Sequence, residues 1–319
     1  MSSPSQLEFV TVDVFTTERY SGNPLAIIRI PHGVTMTQEQ KQMIAREFNL
    51  SESTFLHEKS PSAPGNTWVV DIFLTTAEIP FAGHPTIGTA CYVLSRAAQE
   101  RGLEDGVIEA GFQLKAGPVS LVYDVAKKTA RAAIPHDVHI HGKRWGRQDL
   151  FKLQPRLARG HEQRKFGIKD DFAIVSIVKG MTFVLVELDN LEALEMVSVA
   201  GQGISISGLD EGWDKTFIGT YFFVRMGKNA GGATMLRTRM IEGSLEDPAT
   251  GSAASDLVAY LSLNEGGPSE TLKFEIIQGV EMGRRSEIFI DVEMDSNKSI
   301  AKIVLEGSAV RVMEGRLAI

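Results

Sequence analysis

Two stretches of this chain combine residue types that could move a proton and hold an anion. The first is Glu78-Ile-Pro-Phe-Ala-Gly83-His84-Pro-Thr-Ile-Gly88-Thr-Ala90. A run rich in β-branched and aromatic residues, Trp68–Thr75, precedes it, and a helix-forming segment, Thr86–Gln99, follows. A glycine-rich turn from strand to helix leaves free N–H groups at the positive end of the helix, a site for a carboxylate or phosphate. His84 stands at its lip. The second stretch, Leu245–Leu261, has the same order of turn, proline, glycine, small residues and apolar helix. Pro85-Thr-Ile-Gly88-Thr89-Ala90 and Pro248-Ala-Thr-Gly251-Ser252-Ala253 both read P-x-x-G-[S/T]-A. Two copies, one per half, predict a duplicated domain with two helix N-termini facing one cleft.

A third chemical candidate is Glu52, between apolar Leu50 and Phe55 at a junction of helix and strand. The plain alternative is a surface glutamate in a polar loop, because glutamate is seldom buried. Pressed among apolar neighbours, the carboxyl would lose solvation and its pKa would rise, as a general acid/base near neutral pH requires.

The elements that must position these residues are short. Leu7–Phe15 and Leu25–Ile30 read as strands around a Gly22-Asn23-Pro24 turn. Thr37–Phe48 reads as a helix capped by Thr35 or Thr37, with Met43, Ile44 and Phe48 on one face. Short strands follow between Val107 and Ile134, with Gly106, Gly111 and Gly117 as turns. The basic segment His136–Lys165 carries His139 and His141, which could hold a metal only with a third ligand that the sequence does not place. It reads as a polar linker with surface histidines, an inter-domain crossing or a flap. Strands at 173–178, 181–186, 220–225 and 234–241, a helix at 191–200, and strands at 272–278, 288–292 and 301–305 complete the order, with a last short strand pattern from Gly307. Gly227–Gly232 lacks P-loop spacing and reads as a hairpin tip. The class is α+β, with two domains at 1–135 and 136–307 and the last dozen or so residues packing back onto the first.

Composition narrows the function. With 319 residues, 43% hydrophobic and 23% charged, the chain suits about two soluble domains. A net charge of −7 carries no nucleic-acid or acidic-membrane footprint. No apolar run approaches a membrane span, and the first residues lack a signal-peptide pattern, so a cytoplasmic protein is expected. The single cysteine, Cys91, excludes a disulfide framework and reads as a buried small hydrophobe.

Gly22-Asn23-Pro24, Asn49-Leu-Ser-Glu52-Ser-Thr-Phe, Pro80-Phe-Ala-Gly83-His84-Pro-Thr-Ile-Gly-Thr-Ala and Glu246-Asp247-Pro-Ala-Thr-Gly251-Ser252-Ala-Ala together resemble the PhzF-like family of phenazine-biosynthesis isomerases. The motifs span nearly the whole chain in the family's order. The resemblance implies a diaminopimelate-epimerase-like fold: two similar domains, each a curled antiparallel sheet or barrel around a central helix, with the active site in the inter-domain cleft. It also implies that Glu52 is the general acid/base. His84, Asp247 and the Gly83 backbone would hold or polarise the substrate, Gly251 and Ser252 would bind its carboxylate, and Asn23 would line the site. The founding reaction is isomerisation of a dihydro-hydroxyanthranilate without a cofactor. Relatives that racemise amino acids use two cysteines, which this chain cannot supply. The expectation is therefore a cofactor-independent isomerase of a small carboxylate, without metal and as a homodimer. A silent binding protein on the same fold, or a glutamate-based lyase or hydrolase, is the alternative.

Overall fold

The computed structural model describes residues 6–60 and 65–319. They divide into two compact units, the described residues up to Ala133 with Leu305–Ile319, and Ile134–Val304. In chain order the first unit holds β1 (Gln6–Val14), β2 (Asn23–Ile30), α1 (Gln38–Phe48), β3 (Ser53–His57), β4 (Thr67–Phe73), β5 (Glu78–Ile79), α2 (Gly83–Glu100), β6 (Val107–Leu114), β7 (Gly117–Asp124) and β8 (Thr129–Ala133). The second holds β9 (His139–Gly146), α3 (Arg147–Leu153), α4 (Pro155–Glu162), β10 (Asp171–Val178), β11 (Met181–Glu187) and α5 (Leu191–Glu195). It continues with β12 (Phe217–Lys228), β13 (Thr234–Glu242), β14 (Leu245–Asp247), α6 (Gly251–Glu265), β15 (Thr271–Gln278) and β16 (Ser286–Met294). A long last strand, β17 (Ile300–Ala318), starts in the second unit and ends in the first.

The first unit is a closed barrel around α2. Its strands pair in the ring β1–β2–β3–β4–β6–β7–β8–β17–β1. Strand alternation sets two layers. Ala26, Ile28, Ile30 and Phe55 face outward, where they pack with Ala45 of α1. Val12, Val14 and Leu25 face inward onto α2, so closely that a Cβ on Gly88 would lie 2.6 Å from Val14 and 2.7 Å from Leu25. Glycine at 88 is what lets the helix enter the barrel.

The second unit repeats this plan. From β1, the successive pairings are antiparallel (β1–β2), parallel (β2–β3), antiparallel (β3–β4), parallel (β4–β6) and antiparallel (β6–β7). From β10 the same order recurs through β11, β12, β13, β15 and β16. In each unit a helix lies between the first parallel pair, and a short strand and a central helix lie between the second. The sheets are thus mostly antiparallel, with parallel neighbours where a helix makes the crossover.

Several expectations change on contact with the structure. Of the expected face, Met43 is exposed while Ile44 and Phe48 pack against the core, and α1 also buries Ala45 and Lys41, whose ammonium reaches Asp71. Gly111 is no turn: it lies inside β6, paired with Ser120. The helix expected over 191–200 stops at Glu195, and the two closing strands are one, β17. The segment 136–165 is not a linker. It forms β9, α3 and α4, and Trp145, Leu150 and Leu157 join a core with Phe172, Ile174, Val184 and Phe222. Nor is His141 a surface residue, being buried with its Nε2 2.9 Å from Ser176.

Candidate active site

In the first unit, Glu52 follows the end of α1 by a few residues. Thr37 and Gln40 form a reciprocal capping box at the start of that helix, and Asn49 ends it in the left-handed region at φ 51°. The chain then reverses through Leu50 and Ser51 and enters β3 immediately after Glu52. His84 occupies the second residue of α2, after Gly83. The two elements are tied by a buried hydrogen bond of 3.0 Å between the Thr54 and Thr89 hydroxyls. Thr86 closes the first turn of α2 by donating its hydroxyl to Ala82 O at 2.7 Å.

This scaffold brings Glu52 Oε2 to 3.2 Å from His84 Nδ1. The His84 side chain is 4% exposed and that of Glu52 18%. Burial pushes the Glu52 carboxyl upward, but the hydrogen bond and charge of His84, with a hydrogen bond from Ser51, outweigh it and hold the carboxyl below its ordinary value. The sequence expectation of a raised pKa is corrected here: it counted apolar neighbours and could not see the imidazole. The other ring nitrogen, His84 Nε2, is buried with no hydrogen-bond partner. An orphaned polar atom of this kind costs about 1–3 kcal/mol unless a ligand satisfies it. The start of α2 has no side-chain cap, so its first N–H groups face the same need.

In the second unit, Asp247 ends β14, opposite Met240 of β13. It accepts the Thr250 hydroxyl at 2.6 Å, and its backbone carbonyl accepts Gln278 Nε2 at 2.7 Å. Gln278 also reaches the Thr250 hydroxyl at 3.0 Å, and its Oε1 lies 3.0 Å from the Tyr221 hydroxyl. Just before Asp247, Glu246 receives both Nε and Nη2 of the nearly buried Arg239, at 2.7 and 2.8 Å. The turn is locked from both sides. Gly251 and the partly buried Ser252 then open α6, which begins without a side-chain cap. Asn23 is buried at the first position of β2, opposite Val14.

Glu52, Gly83 and His84 are therefore together in one unit, and Asp247, Gly251 and Ser252 in the other. Sequence reasoning missed Thr250, Gln278 and Tyr221, which hold the second turn. Thr250 lies within the Pro248–Ser252 motif, but no motif marks Tyr221 or Gln278, which closes an ordinary strand. Cys91 is buried within α2, 3.5 Å from Gly307 O, and burial pushes its thiol up to about 12, so it stays protonated.

A family model described as Phenazine biosynthesis-like protein matches residues 12–315. The chain belongs to that family. It is 31% identical to an uncharacterized isomerase of Mesorhizobium japonicum, across 98% of each chain. It is 28% identical to the trans-2,3-dihydro-3-hydroxyanthranilate isomerase of Pseudomonas chlororaphis, across 98% of this chain and 99% of that one. Among solved structures, the phenazine biosynthesis protein of the PhzF family from Bacillus anthracis superposes with a TM-score of 0.72 at 20% identity, covering 99% of this chain and all of that one. The chain thus has full-length relatives named as isomerases, and it shares the fold of the PhzF-family structure from Bacillus anthracis. Among the described residues, no helix is long and apolar enough to cross a membrane.

Proposed function

We propose that this protein is an isomerase that moves a proton between two carbons of a small carboxylate-bearing substrate, with Glu52 as the acid/base. The observation that carries this reading is the Glu52–His84 pair, with one imidazole nitrogen on the carboxylate and the other buried and unpartnered. An ionised carboxylate is ready to accept a proton. In the proposed cycle Glu52 takes the proton from one carbon, and the electron pair left behind delocalises into the substrate's conjugated system. The neutral carboxylic acid then returns the proton to a second carbon, which restores Glu52 and moves the double bond. No electron is lost and no co-reactant is consumed. His84 supports both halves by meeting negative charge as it develops, together with the uncapped N–H groups of α2.

In this reading the uncapped start of α6 at Gly251 and Ser252, on a turn that Asp247, Thr250 and Gln278 keep rigid, is suited to hold a carboxylate. Preorganised donors of this kind cost no reorganisation during reaction. The resemblance of the chain to trans-2,3-dihydro-3-hydroxyanthranilate isomerases at 28% identity supports a cyclic, unsaturated amino acid as the first substrate to try. Purified protein would be incubated with that compound and a panel of cyclic and open-chain amino-acid carboxylates, followed by NMR. Appearance of a double-bond isomer at constant mass is the expected result. Loss of water or ammonia would instead identify a lyase.

A further inference from the structure

The His-x-His pair in β9 has no part in the proposed isomerisation. Residues two apart on a strand point to the same face, so His139 and His141 stand side by side. Opposite them lies the segment 196–216, which joins α5 to β12 without helix or strand. Asp210 of this segment brings its carboxylate to 2.7 Å from His139 Nε2 and 3.9 Å from His141 Nδ1. One donor atom from each of the three side chains lies within 4.8 Å of the others. Ligands on a tetrahedral zinc ion, at bonds of about 2.0–2.1 Å, stand about 3.3 Å apart. Small side-chain movements close the difference.

The surroundings suit ligation as well. The Asp210 backbone N–H donates to His141 Nδ1 at 3.4 Å, which places the ring proton on Nε2; an ion would take that Nδ1 lone pair and displace this long hydrogen bond. Nε2 then donates to Ser176 Oγ at 2.9 Å, and Ser176 continues to Thr182 at 2.6 Å and Thr216 at 2.7 Å. Metal-bound histidines are held in this way, through the nitrogen that does not face the ion. Trp213 stacks on the His139 ring at 4.6 Å and fixes its plane.

We propose that His139, His141 and Asp210 bind one zinc-like divalent transition-metal ion that staples the 196–216 segment to β9. Three protein ligands leave a fourth position for water. Two imidazoles select against magnesium and calcium, which take oxygen ligands. The ion would act on the segment through mass action, stabilising the state in which Asp210 is docked.

The test uses full-length protein without a histidine tag, stripped with a chelator and dialysed. Zn²⁺ is titrated by calorimetry, and Co²⁺ by its visible d–d absorption. The expected result is one ion per chain, low-coordinate cobalt bands, and a rise in Tm with Zn²⁺ but not Mg²⁺. His139→Gln and Asp210→Asn alter half-exposed side chains and should fold normally, yet lose the bands and the Tm rise. Ser176→Ala should weaken Zn²⁺ binding roughly 10–100-fold. Wild type that takes up no stoichiometric Zn²⁺, or variants that bind it as well as wild type, would overturn the proposal and leave a hydrogen-bonded pin between strand and segment.

Discussion

The two central helices begin alike and then diverge. Aligned by letters, Pro85-Thr-Ile-Gly88 matches Pro248-Ala-Thr-Gly251. The helices say otherwise: α2 starts at Gly83, before its proline, whereas α6 starts at Gly251, after its proline. The positions that correspond by place in the helix are Gly83-His84 and Gly251-Ser252. Gly88 has a different duty, giving way to Val14 and Leu25 inside the barrel. The lesson is that the duplication is real in topology, strand by strand, while the six-residue likeness is offset by five positions. The chemistry differs too. In the first unit the second helical residue is an imidazole paired with a carboxylate. In the second it is a hydroxyl residue, and the nearby acid, Asp247, is bonded to its own turn. In the proposed reading, one turn moves a proton and the other holds an anion.

Substitution should separate those duties. The largest effect is expected from Glu52→Gln, which keeps the shape but cannot take a proton: kcat should fall about 10²–10⁴-fold with the far-UV CD spectrum unchanged. On the other side, Ser252→Ala should raise KM roughly 10–100-fold, the worth of a hydrogen bond to a charged group, and leave kcat nearly intact. If the two variants changed the same kinetic parameter, the division of labour between the turns would fail.

Gly88→Ala probes packing alone. It should cost about 1–3 kcal/mol of stability in urea unfolding, because the added carbon meets Val14 and Leu25 inside a closed barrel.

Acid response offers a finer contrast. Glu52 has a folded-state pKa below its unfolded value, so its stabilisation is present at neutral pH and is lost as pH falls through the folded value. Asp256, buried in α6 with neither carboxyl oxygen hydrogen-bonded, is pushed well above its ordinary value by burial. Its contribution is most favourable below the unfolded pKa and worsens as pH rises from there. Unfolding free energies measured against pH should therefore converge for wild type and Glu52→Gln toward acid. For Asp256→Asn, the variant should gain on wild type toward neutral pH. Parallel curves would refute these assignments. The smallest effect belongs to Cys91→Ala, which removes a protonated, buried thiol and should leave activity intact.

Much of this was legible in the sequence because it depends on local chemistry. The strand alternation of Leu7–Phe15, the capping threonine of α1 and the Gly-His and Gly-Ser turns are written within a few residues of where they act. What was not legible depends on residues brought together from afar. The Glu52 pKa was misread because His84 lies 32 positions away. The segment 136–165 was misread because its charges mask Trp145, Leu150 and Leu157, which pack under strands that come later. The ligand that His139 and His141 lacked is Asp210, in a segment with no pattern of its own. Gln278 was invisible for the same reason.

The central claim is that Glu52 exchanges a carbon-bound proton, and deuterium incorporation in D₂O tests it most directly. Wild type and Glu52→Gln would be incubated with the carboxylate panel, including trans-2,3-dihydro-3-hydroxyanthranilate, and followed by NMR. The account predicts deuterium at carbon with wild type and none above background with the variant. Equal incorporation by both would remove Glu52 from the chemistry and contradict it.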